Sequence, residues 1–277
     1  MATMGWRLIA ASTAFFLMSA LPADAGALRI GGTGGALGGM NLLAEAFSKR
    51  HPEIDVEIIH GLGSSGGIKA LLAGAVHVGV GSRALRDKER AAGAIARDYA
   101  KTPFILATRA DNQVDNVTLD ELAKIYRGDM TTWSDGSPIR LVLRPKADSD
   151  TVIVAGLSKG LTAAVETAHE RDGLKIAATD QDAADALEVL PGGLCTSTLA
   201  LIRAESRAIK PLALDGVAPT FANVLSGAYR LTKTFSIVTG QTLTPEAASF
   251  IDFVWSPEGQ RILIESGHMN LPGKLDS

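Results

Sequence analysis

Three short segments carry residues able to hold an anion. Gly31-Gly32-Thr33-Gly34-Gly35, Gly63-Ser64-Ser65-Gly66-Gly67 and Ser149-Asp150-Thr151 each place hydroxyls and free amides where a strand pattern gives way to a helix. Unpaired amides and the dipole of a helix start both favour negative charge there. Glycine lets a ligand come close to the backbone. One such segment alone is explained by helix capping and a tight turn. Three of them, with Ser82 and Arg83 after Gly81 and with Arg144 ahead of Ser149, point to one oxyanion site. The candidates are Thr33, Gly34, Ser64, Ser65, Ser82, Arg83, Arg144, Ser149, Asp150 and Thr151. Arg144 is expected to supply the main charge contact, because a guanidinium grips two oxygens of an anion at once. Asp150 is the one acid inside a candidate loop, where it either faces solvent, caps the following helix, or accepts a proton from a phosphate-like ligand.

Competing chemistries are tested by spacing. The dinucleotide fingerprint G-x-G-x-x-G fails, since Gly32-x-Gly34 puts Leu37 at the third glycine. The P-loop fails because Gly61-x-x-x-x-Gly66 is followed by Gly67 and not lysine. Gly63-Ser64-Ser65-Gly66-Gly67 does fit the G-x-S-x-G nucleophile turn, with Ser65 as nucleophile and Asp215 or Asp252 and His268 further on. An exported serine hydrolase is therefore kept as the alternative function. His51, His60, His77, His169 and His268 are scattered without helical pairing, so neither a metal nor a cofactor is expected.

The 277-residue chain sets the outer limits. With 46% hydrophobic and 21% charged residues, it excludes disorder, collagen and coiled coil. Its 27 Lys+Arg against 30 Asp+Glu argue against a nucleic-acid partner, which calls for a basic surplus. Leu8 to Leu21 is apolar apart from small hydroxyls, and Ala23-Asp24-Ala25 follows as a small-x-small site. This is the pattern of a secretory signal peptide cleaved after Ala25. It is too short for a span, which needs about 20 apolar residues. The single Cys195 has no partner for an internal disulfide, and its apolar neighbours suit a small buried residue.

The elements that position the candidates alternate. Strands are expected at Ala27–Ile30, Ile54–Ile59, Val76–Val80, Pro103–Thr108, Leu141–Leu143, Leu194–Ile202, Pro211–Leu214 and Phe235–Thr239. Helices are expected after Gly35, over Ile68–Gly74, from about Arg86 to Arg97, and from Thr151 to about Arg171. Thr118-x-x-Glu121 and Thr179-x-x-Asp182 open two more. Thr244-Pro245 and Ser256-Pro257 start the last two. Such alternation predicts α/β layers on parallel or mixed sheets.

Gly61-Leu62-Gly63-Ser64-Ser65-Gly66-Gly67-Ile68-Lys69 and Ala75-Val76-His77-Val78-Gly79-Val80-Gly81-Ser82-Arg83 together resemble the periplasmic phosphate-binding proteins of ABC importers. The resemblance continues through Val117-Thr118-Leu119, Ile125-Tyr126-Arg127-Gly128 and Phe253-Val254-Trp255-Ser256-Pro257-Glu258-Gly259-Gln260. It implies the type II periplasmic binding protein fold: two α/β lobes, each on a mixed sheet flanked by helices, joined by two hinge strands. Residues 26–105 and 235–277 would form lobe one, and residues 106–234 lobe two. It further implies a monomer in the periplasm that captures a small inorganic oxyanion, phosphate first, and hands it to the importer's permease in the inner membrane. Thr33 and Ser64 match ligand-contacting hydroxyls of that family. The departures are Gly34 where an aromatic is usual, Ser82 in place of an aspartate, Arg144 offset by one residue, and Asp150 where the second-lobe loop usually carries glycine.

Overall fold

The computed structural model describes residues 27–271, and the expected signal segment with its cleavage site lies outside them. Strand β1 (Leu28–Gly32) leads into α1 (Gly34–Arg50), β2 (Val56–Ile59) into α2 (Gly63–Leu72), and β3 (Val78–Gly81) into α3 (Asp87–Ala91). The long β4 (Ile95–Arg109) follows, then β5 (Asn116–Val117), α4 (Leu119–Arg127) and β6 (Arg140–Leu143). Next come α5 (Ser149–Gly156), α6 (Lys159–Glu170), β7 (Lys175–Ile176), α7 (Asp180–Val189), β8 (Gly193–Thr198) and α8 (Leu199–Ala204). After β9 (Ile209–Pro211), β10 (Ala213–Leu214) and α9 (Phe221–Leu225), the described chain ends with β11 (Thr232–Thr239), α10 (Pro245–Trp255), α11 (Pro257–Glu265) and β12 (Met269–Asn270).

Strand β4 belongs to two ladders. Its first part, up to Pro103, pairs antiparallel with β11, beyond which lie β3, β1 and β2. From Phe104 onward it pairs antiparallel with β8 and β9, and β8 continues into parallel β6 and β7. The result is one mixed ten-stranded sheet with helices on both halves, the α/β two-lobed architecture expected. Each half has its own core. Leu28, Met40, Phe47, Phe235 and Phe250 pack in the first half, and Phe104, Leu122, Trp133 and Leu161 in the second. The passage between the cores lies at Pro103–Phe104 and just before Thr232, a few residues upstream of the expected boundaries after 105 and 234. Cys195 is buried in the second half, where burial pushes its thiol up to about 12.

Capping explains most helix starts. Thr118 accepts from the Glu121 amide while Glu121 reaches back to the Thr118 amide, and Gly128 ends that helix at φ 91°. Thr244 and Ser256 cap the two proline-started helices. Three expected elements are corrected. The helix from Arg86 stops at Ala91, because Gly93 at φ 94° turns the chain and pairing with β11 takes Ile95 onward into β4. The Leu194 strand ends at Thr198, whose hydroxyl accepts from the Leu201 amide and opens α8. The helix after Thr151 is two, since Ser158 breaks the run and caps α6 through the Leu161 amide.

Candidate functional site

Glycine packing brings the first two loops together. A Cβ on Gly67 would lie 2.6 Å from the Gly32 Cα, and one on Gly32 would lie 1.9 Å from the Val80 carbonyl oxygen. Only glycine lets β1, β3 and the start of α2 approach this closely. Neither α1 nor α2 is capped by a side chain of its own, so the hydroxyls at their starts are free for other partners. Thr33 Oγ1 lies 3.2 Å from Ser82 Oγ, and Ser64 Oγ lies 3.0 Å from it while also accepting from the Ser82 amide. Ser149, at the start of α5 in the other half, brings its Oγ to 3.3 Å from the same Ser82 oxygen. Four hydroxyls from both lobes thus meet at one point.

They open onto a cleft of about 520 Å³. Thr33, Gly34, Ser64, Ser65, Ser82, Arg83, Arg144 and Ser149 all line it. Asp150 and Thr151 do not. The Thr151 hydroxyl donates to the carbonyls of Arg144 (3.2 Å) and Pro145 (2.9 Å), tying the loop to the end of β6. Asp150 is fully buried, and its Oδ1 is paired with Lys233 Nζ. The expectation that Asp150 faces a ligand as proton acceptor is corrected on this geometry.

The two arginines differ. Arg83 is neutralised by Glu89 at 2.7 and 2.9 Å and also donates to Ser65 Oγ. That guanidinium, against the opposing effect of burial, holds the Glu89 carboxyl down at about 2. Arg144 is 5% exposed; it donates to the Ala177 carbonyl (3.0 Å) and to Asp148 (3.1 Å), and lies 3.6 Å from Asp180. Its Nε is buried without a partner. Burial and the neighbouring Asp150 raise the Asp148 carboxyl above the usual range despite Arg144. For Asp180 burial acts upward too, but Lys233, Arg144 and the Gly35 amide outweigh it and hold the carboxyl low.

Sequence reasoning missed the α7 start and Lys233. Thr179, Asp180 and Gln181 all line the cleft, and Gln181 Nε2 donates across it to the Gly34 carbonyl at 3.0 Å. A Cβ on Gly34 would lie 2.4 Å from Gln181 Oε1 and 2.8 Å from Asp180 Oδ2, so these side chains take the room of any larger residue there. The Thr179-x-x-Asp182 capping box was the available signal, although it marked a helix start and not a cleft wall. Lys233 gave no signal, since an isolated lysine in a strand reads as a solvated edge.

The hydrolase alternative is not assembled. Ser65 is the third residue of α2 and exposed, not at the tip of a strand-to-helix elbow. His268 is wholly buried, with Nδ1 3.1 Å from Ser266 Oγ and 3.2 Å from the Leu263 carbonyl. Asp215 accepts from the Leu119 amide in the other half, and Asp252 is exposed on α10. None of these groups reaches Ser65.

A two-lobed α/β molecule with a hydroxyl-lined cleft between its halves has the form of a periplasmic binding protein. The sequence matches the family described as PBP superfamily domain over residues 19–258, and the chain belongs to that family. It is 24% identical over 217 residues to the phosphate-binding protein PstS of Borreliella burgdorferi, covering 76% of this chain and 77% of the relative. With the PstS of Bacillus subtilis it shares 24% over 229 residues, 80% of this chain and 72% of the other. Among solved structures it is similar to a Clostridium perfringens protein assigned as a phosphate ABC transporter substrate-binding protein and holding phosphate. That structure gives TM-score 0.74 at 26% identity, covering 88% of this chain and 99% of that one.

Proposed function

We propose that this chain is an extracytoplasmic solute-binding protein that captures a small oxyanion, phosphate first, in the interlobe cleft and delivers it to the permease of an ABC importer. The observation that carries the reading is the meeting of Thr33, Ser64, Ser82 and Ser149 from both lobes at a cleft that Arg144 also lines. An oxyanion entering among them replaces hydroxyl–hydroxyl contacts with charge-assisted hydrogen bonds, which are roughly twice as strong. The start of α2 adds amides without a side-chain cap, whereas at α1 the Gly35 amide already meets Asp180. Capture draws the lobes together about the two crossings next to Pro103 and Thr232, as hinge closure does in this class of fold. The protein acts as a monomer, is exported by a signal peptide cleaved after Ala25, and has no nucleic-acid partner.

The ligand-binding residues are Thr33, Ser64, Ser82, Arg144 and Ser149, with Gly34 offering backbone. Ser65 and Arg83 form the outer rim, where Arg83 is already neutralised. Asp150 and Thr151 shape the loop from below. With Ser82 in the usual aspartate position, the acceptor for a ligand proton is Asp148, the raised carboxylate lining the cleft. A thermal-shift screen of phosphate, arsenate, sulfate, molybdate and small carboxylates tests the reading. Phosphate is expected to give the largest rise in Tm. A carboxylate giving the largest rise, with no oxyanion effect, would overturn it.

A further inference from the structure

Asp150 poses a physical problem for an anion site. It lies inside the loop between Ser149 and Thr151, its side chain is fully buried, and its Oδ2 has no partner. Its only cationic contact among the described residues is Lys233, whose ammonium pairs with Oδ1. Lys233 is itself 2% exposed and sits on β11, where its backbone faces Thr102 of β4 at the passage between the lobes. From there Nζ also comes within 3.9 Å of Asp180 Oδ1. The cluster thus holds three carboxylates, half-buried Asp148 with buried Asp150 and Asp180, against two buried cations, Arg144 and Lys233.

We propose that Lys233 is the counter-cation that lets this chain carry a carboxylate in its anion loop, and that the Lys233–Asp150 pair is a specificity-determining unit setting the charge a bound oxyanion meets. This rests on the oxyanion reading of the cleft. Without Lys233 one guanidinium faces three carboxylates, and the anion has to enter beside that uncompensated negative charge. In a poorly solvated site that repulsion is weakly screened. Burial works against the lysine's charge, but Asp150 and Asp180 outweigh it and hold the ammonium protonated. A fully deprotonated anion such as sulfate feels the loss of Lys233 more than hydrogen phosphate, whose O–H can donate a hydrogen bond to a neighbouring carboxylate.

The test is a cycle of Lys233→Met, Asp150→Asn and the double variant, titrated calorimetrically with inorganic phosphate and with sulfate at pH 7. Thermal unfolding without ligand is followed in parallel. Lys233→Met is expected to weaken phosphate by at least about tenfold and sulfate by more. Asp150→Asn is expected to shift the sulfate-to-phosphate ratio towards sulfate by about tenfold. The double variant returns phosphate to within about threefold of the wild type, and it answers the question even where Lys233→Met alone fails to fold. A double variant as weak as Lys233→Met, or one unfolded while Asp150→Asn folds, overturns the proposal. So does an unchanged ratio in both single variants. If the wild type binds neither anion, the oxyanion reading falls separately. The specificity claim falls with it, and the unfolding cycle then decides only whether Lys233 is the counter-cation of Asp150: non-additive losses support that, and additive losses overturn it.

Discussion

The two walls of the cleft are built on different chemistry. The lobe-one wall, from α1, α2 and the end of β3, offers the hydroxyls of Thr33, Ser64 and Ser82 and the α2 start, which has no side-chain cap. Its two cations, Arg83 and Arg86, both face Glu89, at 2.7 and 3.7 Å. The lobe-two wall lines the cleft with Arg144, Asp148 and Asp180, with Asp150 behind them, and α5 is capped by Asp148, which accepts from the Asp150 amide at 2.9 Å. One wall gives directed neutral donors, while the other gives charge. On the proposed reading, hydrogen-bond geometry belongs mainly to lobe one, and selection by charge and proton content mainly to lobe two.

The largest effect is expected from removing the cation of the charged wall. Arg144→Ala leaves Asp148 without a cation and Asp180 with Lys233 alone, and should weaken phosphate by at least about thirtyfold. Arg140→Ala, at an exposed arginine bonded to the Pro191 carbonyl, should leave affinity unchanged. Calorimetry on both variants checks this, and equal small effects would place the charge contact elsewhere. On the neutral wall, Ser64→Ala removes one hydroxyl donor and should cost about three- to tenfold, with phosphate and sulfate affected alike. A change in their ratio would show that the lobe-one wall also reads proton content.

A smaller shift tests selection on the charged wall. Asp148→Asn should move preference from hydrogen phosphate towards sulfate by about threefold, read by competition at pH 7. A ratio that does not move assigns the ligand's proton to Asp180 or to Ser82.

Much of the lobe-one wall was legible in the sequence, and much of the lobe-two wall was not. Glycines and hydroxyls at strand-to-helix turns mark backbone conformation and helix starts, which are local properties, and so Thr33, Ser64 and Ser82 stood out. The charged wall depends on distant pairings: Lys233 reaches Asp150 across 83 positions, and Gln181 reaches Gly34 across 147. Nothing local reports such partners. The fold shows the same division. Capping residues and Thr-Pro or Ser-Pro starts placed α4, α7, α10 and α11, whereas Ile95–Arg97, expected as the end of a helix, became strand because β11 pairs with them.

The smallest expected effect lies away from the cleft, in the core of the neutral lobe. Burial pushes His268 down to about 4, while in the unfolded chain it titrates near its ordinary value of about 6.5. Between those values the unfolded state binds the extra proton, so His268 contributes a loss of stability as pH falls through that window and none above it. Tm followed from pH 8 to pH 4 should fall less steeply in His268→Gln than in the wild type. Identical slopes would show that the lobe-one core does not contribute to acid sensitivity.

The most direct test of the two-walled account is a calorimetric titration of inorganic phosphate into three proteins: the wild type, Ser64→Ala and Arg144→Ala. The account predicts one phosphate per chain in the wild type and weaker binding in both variants, with the larger loss in Arg144→Ala. Phosphate that binds all three with the same affinity would contradict it, because the ligand would then lie outside the cleft between these walls.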